Sequence, residues 1–122
     1  MKYYAIAEID ITDPSWVRDY VANVTAIVER QGGRYLARTG KIEHIESEGD
    51  AEGKGEGGGG GEGTRKPPQA LVLIEWPSKE VAEAFYESDE YRPYRESRRA
   101  GANNEFFLLA GEDVNGVARI EP

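Results

Sequence analysis

Apolar and polar positions alternate along this chain in two similar rounds. Lys2 to Ile11 carries Tyr3, Tyr4, Ile6, Ile9 and Ile11, strand formers set too densely for a strand with one solvated face. Then Trp16, Val17, Tyr20, Val21, Val24, Ile27 and Val28 recur at helical spacing, with Arg18, Asp19, Asn23, Glu29 and Arg30 between them. Asp13 is placed to accept a hydrogen bond from the opening amides of that helix. Pro14 suits its first position, where an N–H would have no partner. Gly32-Gly33 stops it. Arg34 to Thr39 predicts a second strand, with Arg34, Leu36 and Arg38 on one face and Tyr35 and Ala37 on the other. After Gly40 the strand is expected to resume past a bulge over Lys41 to Glu46.

The second round begins at Ala70. Ala70 to Trp76 is a continuous apolar run, as a central strand requires, ended by Pro77. Ser78 caps a helix whose buried side is Val81, Ala82, Ala84, Phe85 and Tyr86. Ser88-Asp89 breaks it. A further helical segment puts Tyr91, Tyr94, Arg95 and Arg98 on one face, with Pro93 tolerable near its start. Gly101 to Asn104 reads as a turn and Glu105 to Ala110 as the fourth strand. Residues 111–122 read as a polar tail with an edge strand over Val117 to Ile120.

The segments AIAEIDITDPSWVRDY and ALVLIEWPSKEVAEAFY echo each other as strand, acid, apolar residue, proline, helix. Two strand–helix–strand halves in this order predict an α+β fold, a ferredoxin-like β-α-β-β-α-β sandwich. Its four-stranded antiparallel sheet has order 4-1-3-2 and both helices on one face. Strands one and three are expected side by side and parallel. The uncovered sheet face is then rich in apolar side chains, and patches of that kind mark interfaces. A homodimer packing sheet on sheet, as a dimeric α/β barrel, is expected.

Composition bounds the rest. The chain of 122 residues suits a single domain over 1–122. Nine of its fifteen glycines lie between Gly49 and Gly63, so 47–69 reads as a flexible glycine-rich loop. Gly53-x-Gly55-x-x-Gly58 matches a dinucleotide fingerprint by letters alone, with neither a strand before it nor a helix after it. The net charge of −8 opposes nucleic acid and anionic membrane surfaces. No cysteine is present and His44 is the one histidine, so a disulfide framework, a thiolate nucleophile and a metal site are not expected. No cofactor is expected. There is no basic apolar leader and no run near membrane-spanning length, which predicts a soluble, cytoplasmic protein.

DPSWVRDYV, GGRYLARTGKIEHIE, VLIEWPSKEVAEAFYESDEY and Arg98 resemble the domain-of-unknown-function family 1330. The resemblance is most specific in GGRYLxRxG and IEWPSxExAxxFYxSxEY and spans residues 4 to 111 apart from the glycine-rich insert. It implies the dimeric α/β-barrel superfamily, whose subunits are ferredoxin-like. Relatives there include cofactor-free monooxygenases, isomerases and haem enzymes.

Candidate chemistry is sparse. Asp10 and Glu75 hold equivalent places in the two halves. On neighbouring parallel strands their carboxylates would come within hydrogen-bonding range, raise one pKa and create an acid. The plainer reading makes each an ion-pair partner or a turn cap. Arg34 and Arg38 are placed to clamp a carboxylate ligand, joined by Arg98, or to pair with Glu75 and Asp10. Tyr86 and Tyr91 are candidates to donate to an enolate, or are core residues. Trp16 and Trp76 read as core or dimer anchors, and His44 as exposed. The expected function is a homodimer that binds a small anionic or ring-containing molecule. The alternatives are a cofactor-independent monooxygenase- or isomerase-like enzyme, with Asp10 or Glu75 as base, and a non-catalytic dimerisation module.

Overall fold

The computed structural model describes residues 1–47 and 66–112. Both the glycine-rich segment and the edge strand expected at 117–120 lie essentially outside those residues. Within them the order is β1 (Tyr3–Ile11), a 3-10 turn (Pro14–Trp16), α1 (Val17–Arg30), β2 (Arg34–Thr39), β3 (Ala70–Trp76), α2 (Lys79–Tyr86), α3 (Arg92–Gly101) and β4 (Ala102–Ala110).

The local signals act as their chemistry dictates. Asp13 accepts from the Ser15 amide at 3.0 Å, and this bond holds its carboxyl below the usual range. The cap opens a 3-10 turn, and the α-helix starts at Val17. Gly32 ends the helical run with φ of 104°, a left-handed conformation that costs glycine nothing. Ser78 accepts from the Val81 amide at 3.2 Å and opens α2. Strand β4 starts three residues earlier than expected. Residues 102–104 are not a turn but pair with Ile11, Asp10 and Ile9. Residues 41–47 form no strand; β2 ends at Thr39.

The sheet order is β2-β3-β1-β4, the predicted 4-1-3-2 read from the other edge. The central pair, however, is antiparallel: Tyr3 faces Trp76 and Ile9 faces Ala70. The cause is topological. The crossover through α1 returns β2 parallel to β1 with a gap between them. The chain then reverses, so β3 enters that gap antiparallel to both neighbours. Asp10 and Glu75 therefore stand at opposite ends of the sheet.

Register divides the sheet into two faces. Ala5, Ala7, Ile9, Val72, Ile74, Trp76 and Tyr35 lie towards the helices. Val24, Ile27 and Val28 of α1, and Ala82 and Phe85 of α2, pack there around Trp76. Tyr4, Ile6, Leu71, Leu73, Phe107 and Leu109 alternate with these and occupy the outer face. Near the start of α1, Trp16 donates its indole N–H to the Gly101 carbonyl at 3.0 Å and ties the turn before α1 to the end of α3.

Candidate functional site

A cavity of about 580 Å³ opens between the sheet and the helices. Its walls come from the core-facing stripe of each element, with Ala5, Ala7 and Ile9 of β1 and Val72 and Ile74 of β3 on the sheet side. The small side chains of β1 make the room, and aromatic residues frame it: Tyr20, Tyr35, Phe85, Tyr86, Tyr91 and Phe106. A volume of this size suits a small organic molecule.

Two of these aromatic residues meet through their polar ends. The Tyr20 and Tyr91 hydroxyls are 2.5 Å apart, and either can be the donor. Tyr91 is set by the turn between α2 and α3. Ser88 donates its hydroxyl to the Phe85 carbonyl at 2.8 Å and accepts from the Tyr91 amide at 3.3 Å. The Tyr91 ring then stacks on Phe85 with centroids 4.3 Å apart. Tyr20 comes from the buried stripe of α1, held edge-on by Trp16 at 5.2 Å. Burial pushes the Tyr20 hydroxyl well above its ordinary value of 10.0, and Tyr91 adds to the rise; Arg98 offsets only part of it.

Behind the tyrosines stands Arg98, 1 % exposed, its guanidinium 4.1 Å from the centroid of the Phe106 ring. Burial disfavours its charge, but the facing Tyr91 and Tyr20 hydroxyls outweigh that and leave its pKa raised. Its Nε and Nη2 have no hydrogen-bond partner among the described residues, and no carboxylate there pairs with it. A buried arginine without an anion is uncommon, because the desolvation of its charge goes uncompensated.

Strand β2 supplies the other cation. Tyr35 pairs with Ile74 but Ala37 pairs with Leu73, so Leu36 is an extra residue that forms a bulge. The bulge reverses the facing of everything beyond it. Arg38 moves to the helix side, where it lines the cavity, donates to the Thr25 hydroxyl at 2.8 Å and lies 4.4 Å from the Tyr35 ring centroid. Tyr35 has its pKa raised by burial, with Arg38 opposing. Arg34 keeps to the outer face opposite Glu75, with Nε 3.7 Å from its carboxylate. The expected joint clamp of Arg34 and Arg38 does not form, because the bulge separates them.

The expected contact between Asp10 and Glu75 does not form either, and neither residue lines the cavity. The Asp10 carboxylate accepts from the Gln69 amide at 2.8 Å. Glu75, on the outer face, lies 3.4 Å from the Tyr4 hydroxyl and 3.5 Å from Lys2 Nζ. Tyr86 and Tyr91 both line the cavity; Arg98 lies one layer behind it. The sequence reading passed over Tyr20 and Tyr35. A phenol in the middle of an otherwise apolar stripe was the signal available for each. Carboxylates at the cavity wall come from Glu83 of α2 and Glu87 just after it, which face Lys79 at 4.0 Å and Arg95 at 3.4 Å respectively. Among the described residues no group of three or more His, Cys, Asp or Glu side chains is arranged to hold a metal ion. No helix there is long and apolar enough to cross a membrane.

The model of the domain of unknown function DUF1330 matches residues 2–55 and 54–112. The chain belongs to the DUF1330 family. No curated protein matches it in sequence. Among solved structures, this DUF1330 chain is similar to SnoaB, a cofactor-independent oxygenase from Streptomyces nogalater. The TM-score is 0.59 at 13% identity, over 94% of this chain and 97% of that one. It is also similar to the RPA0582 protein of unknown function from Rhodopseudomonas palustris, with a TM-score of 0.66 at 11% identity over 92% and 83%. A conserved protein from Methanosarcina mazei Go1 gives a TM-score of 0.52 at 12% identity over 92% and 95%. At these identities the likeness is one of fold, and the fold is the ferredoxin-like α+β sandwich.

Proposed function

We propose that this protein is a homodimer that binds a small, largely apolar ring-containing molecule between its sheet and helices. The observation that carries this reading is the 580 Å³ cavity, framed by aromatic residues and reached by few polar groups. Arg38 is the charged group on the β2 side and suits an anionic substituent. The plain dimerisation module has less support, since it gives such a cavity no role. The enzymatic reading draws on the cofactor-independent oxygenase among the structural neighbours. Its expected bases, Asp10 and Glu75, are outside the cavity lining, so a base would come from Glu83 or Glu87.

The second copy is argued from the outer sheet face. Ile6 lies between Leu73 and Phe107 in register, and Tyr4 lies between Glu75 and Leu109. Phe107 and Leu109 are each 52% exposed in the single chain. An exposed sheet face with apolar residues of this kind suits two-fold pairing.

The direct test of binding is a thermal-shift titration with naphthalene-sized ring compounds, paired with Val21→Trp. Val21 lines the cavity and is exposed, so the indole fills the opening without overpacking the core. Stabilisation of the parent protein, abolished in a folded Val21→Trp variant, supports the reading. No stabilisation by any compound overturns it.

A further inference from the structure

The Tyr20–Tyr91 pair leaves one proton over, and we infer that this proton selects the ligand: the cavity takes a ring compound whose hydroxyl or enol oxygen binds the phenol pair as its anion. The inference rests on the proposed cavity binding and adds the chemical group recognised at its inner end.

Two phenols carry two protons. One is spent in the bond between the hydroxyls. The other needs an acceptor, and the structure records none for either hydroxyl among the described residues. Arg98 is all donor and accepts nothing. Its charge faces both phenol oxygens and so repels a hydroxyl proton turned towards it. Tyr20 alone also borders a smaller pocket beside Trp16 and Asp19; the space that both tyrosines line is the cavity.

The oxygen that accepts this proton enters a particular field. Close behind the phenols is a buried guanidinium that has, among the described residues, two unpartnered nitrogens and no carboxylate to neutralise it. A neutral acceptor gains one hydrogen bond there. An oxyanion gains that bond, strengthened by its charge, and the attraction of Arg98 through a medium poorer in water. Burial holds the Tyr20 hydroxyl in its protonated form, so at neutral pH it remains a donor and does not compete as an anion. Arg98 reaches the ligand through Tyr20 and Tyr91 and is a positioning residue.

The test uses 2-naphthol and its methyl ether, 2-methoxynaphthalene, as probes of nearly equal shape. Their affinities are measured by titration, and the ionisation of bound 2-naphthol is followed by absorbance against pH. The expected result is tighter binding of 2-naphthol than of the ether by about tenfold, the scale of one charge-assisted hydrogen bond. Its ionisation should move at least about one pH unit lower in the complex than in water. Tyr20→Phe and Tyr91→Phe, made separately and checked by circular dichroism, should each lose most of that ionisation shift. Arg98→Lys, which keeps the charge, should retain more of it than Arg98→Met. Equal affinities with an unshifted ionisation overturn this inference but leave the cavity reading standing. Failure of both probes to bind overturns the two together.

Discussion

Arg34 and Arg38 stand four residues apart on one strand and face opposite sides of the sheet. The bulge at Leu36 separates them: Arg34 is opposite Glu75 on the outer face, while Arg38 lines the cavity beside Thr25 and Tyr35. The two substitutions should therefore separate. Arg38→Ala should weaken binding of 2-naphthoic acid about tenfold, the loss of one charge-assisted contact, with little effect on naphthalene. Arg34→Ala should leave both affinities unchanged. In the monomeric Leu109→Glu background it should alter stability by no more than about 0.5 kcal/mol, because in the single chain its ion pair is long and solvated. Calorimetric titration and urea unfolding read the two effects.

Gly101 meets Trp16 closely enough to leave no room for a side chain. A Cβ there would lie 2.3 Å from Trp16 Cδ1 and 2.5 Å from its Nε1. Gly101→Ala should displace the indole, break its bond to the Gly101 carbonyl and cost about 1–3 kcal/mol by overpacking. The fall in the urea midpoint should be matched by a change in tryptophan fluorescence.

The proposed dimer has a point of attack that leaves the cavity's phenol pair untouched. Leu109→Glu places a charge in the outer face opposite Tyr4, where Leu109 is half exposed in the single chain. Sedimentation at micromolar concentration should show a dimer for the parent and a monomer for the variant. A monomeric parent would rule out the pairing.

Alkaline pH should destabilise the fold through Tyr20 and Tyr35. Burial raises both pKa values in the folded state above their ordinary 10.0. The unfolded chain then releases these protons at lower pH than the folded one. Stability from this source is fully present below pH 10 and is lost as pH rises through the folded values. Urea unfolding should give a flat profile between neutral pH and about 9 and a decline above about 10. Tyr20→Phe should be less stable at neutral pH, yet show a shallower alkaline decline.

Much of this architecture is legible without coordinates, because its signals are local. The four strands and the helices, the Asp13 and Ser78 caps and the Gly32 stop depend on neighbours a few residues away and form near where the pattern places them, apart from the earlier start of β4 and the absent strand over 41–46. The pseudo-repeat carries the sheet order as well.

The candidate site was only partly legible. Tyr86, Tyr91 and Arg38 were named as candidates, and all three line the cavity. The rest turned on relations that no short window contains. Strand direction at the centre of the sheet follows from how the crossover closes, and it sets Asp10 and Glu75 at opposite ends. A single extra residue at Leu36 decides which arginine reaches the cavity, since side chains alternate with a period of two and one insertion inverts the facing. The hydroxyl pair joins residues 71 positions apart, and the burial of Arg98 against Phe106 depends on α3 folding back onto β4. Local sequence determined which elements form; the tertiary packing of distant elements decided which polar groups share the cavity and which remain on the outer face.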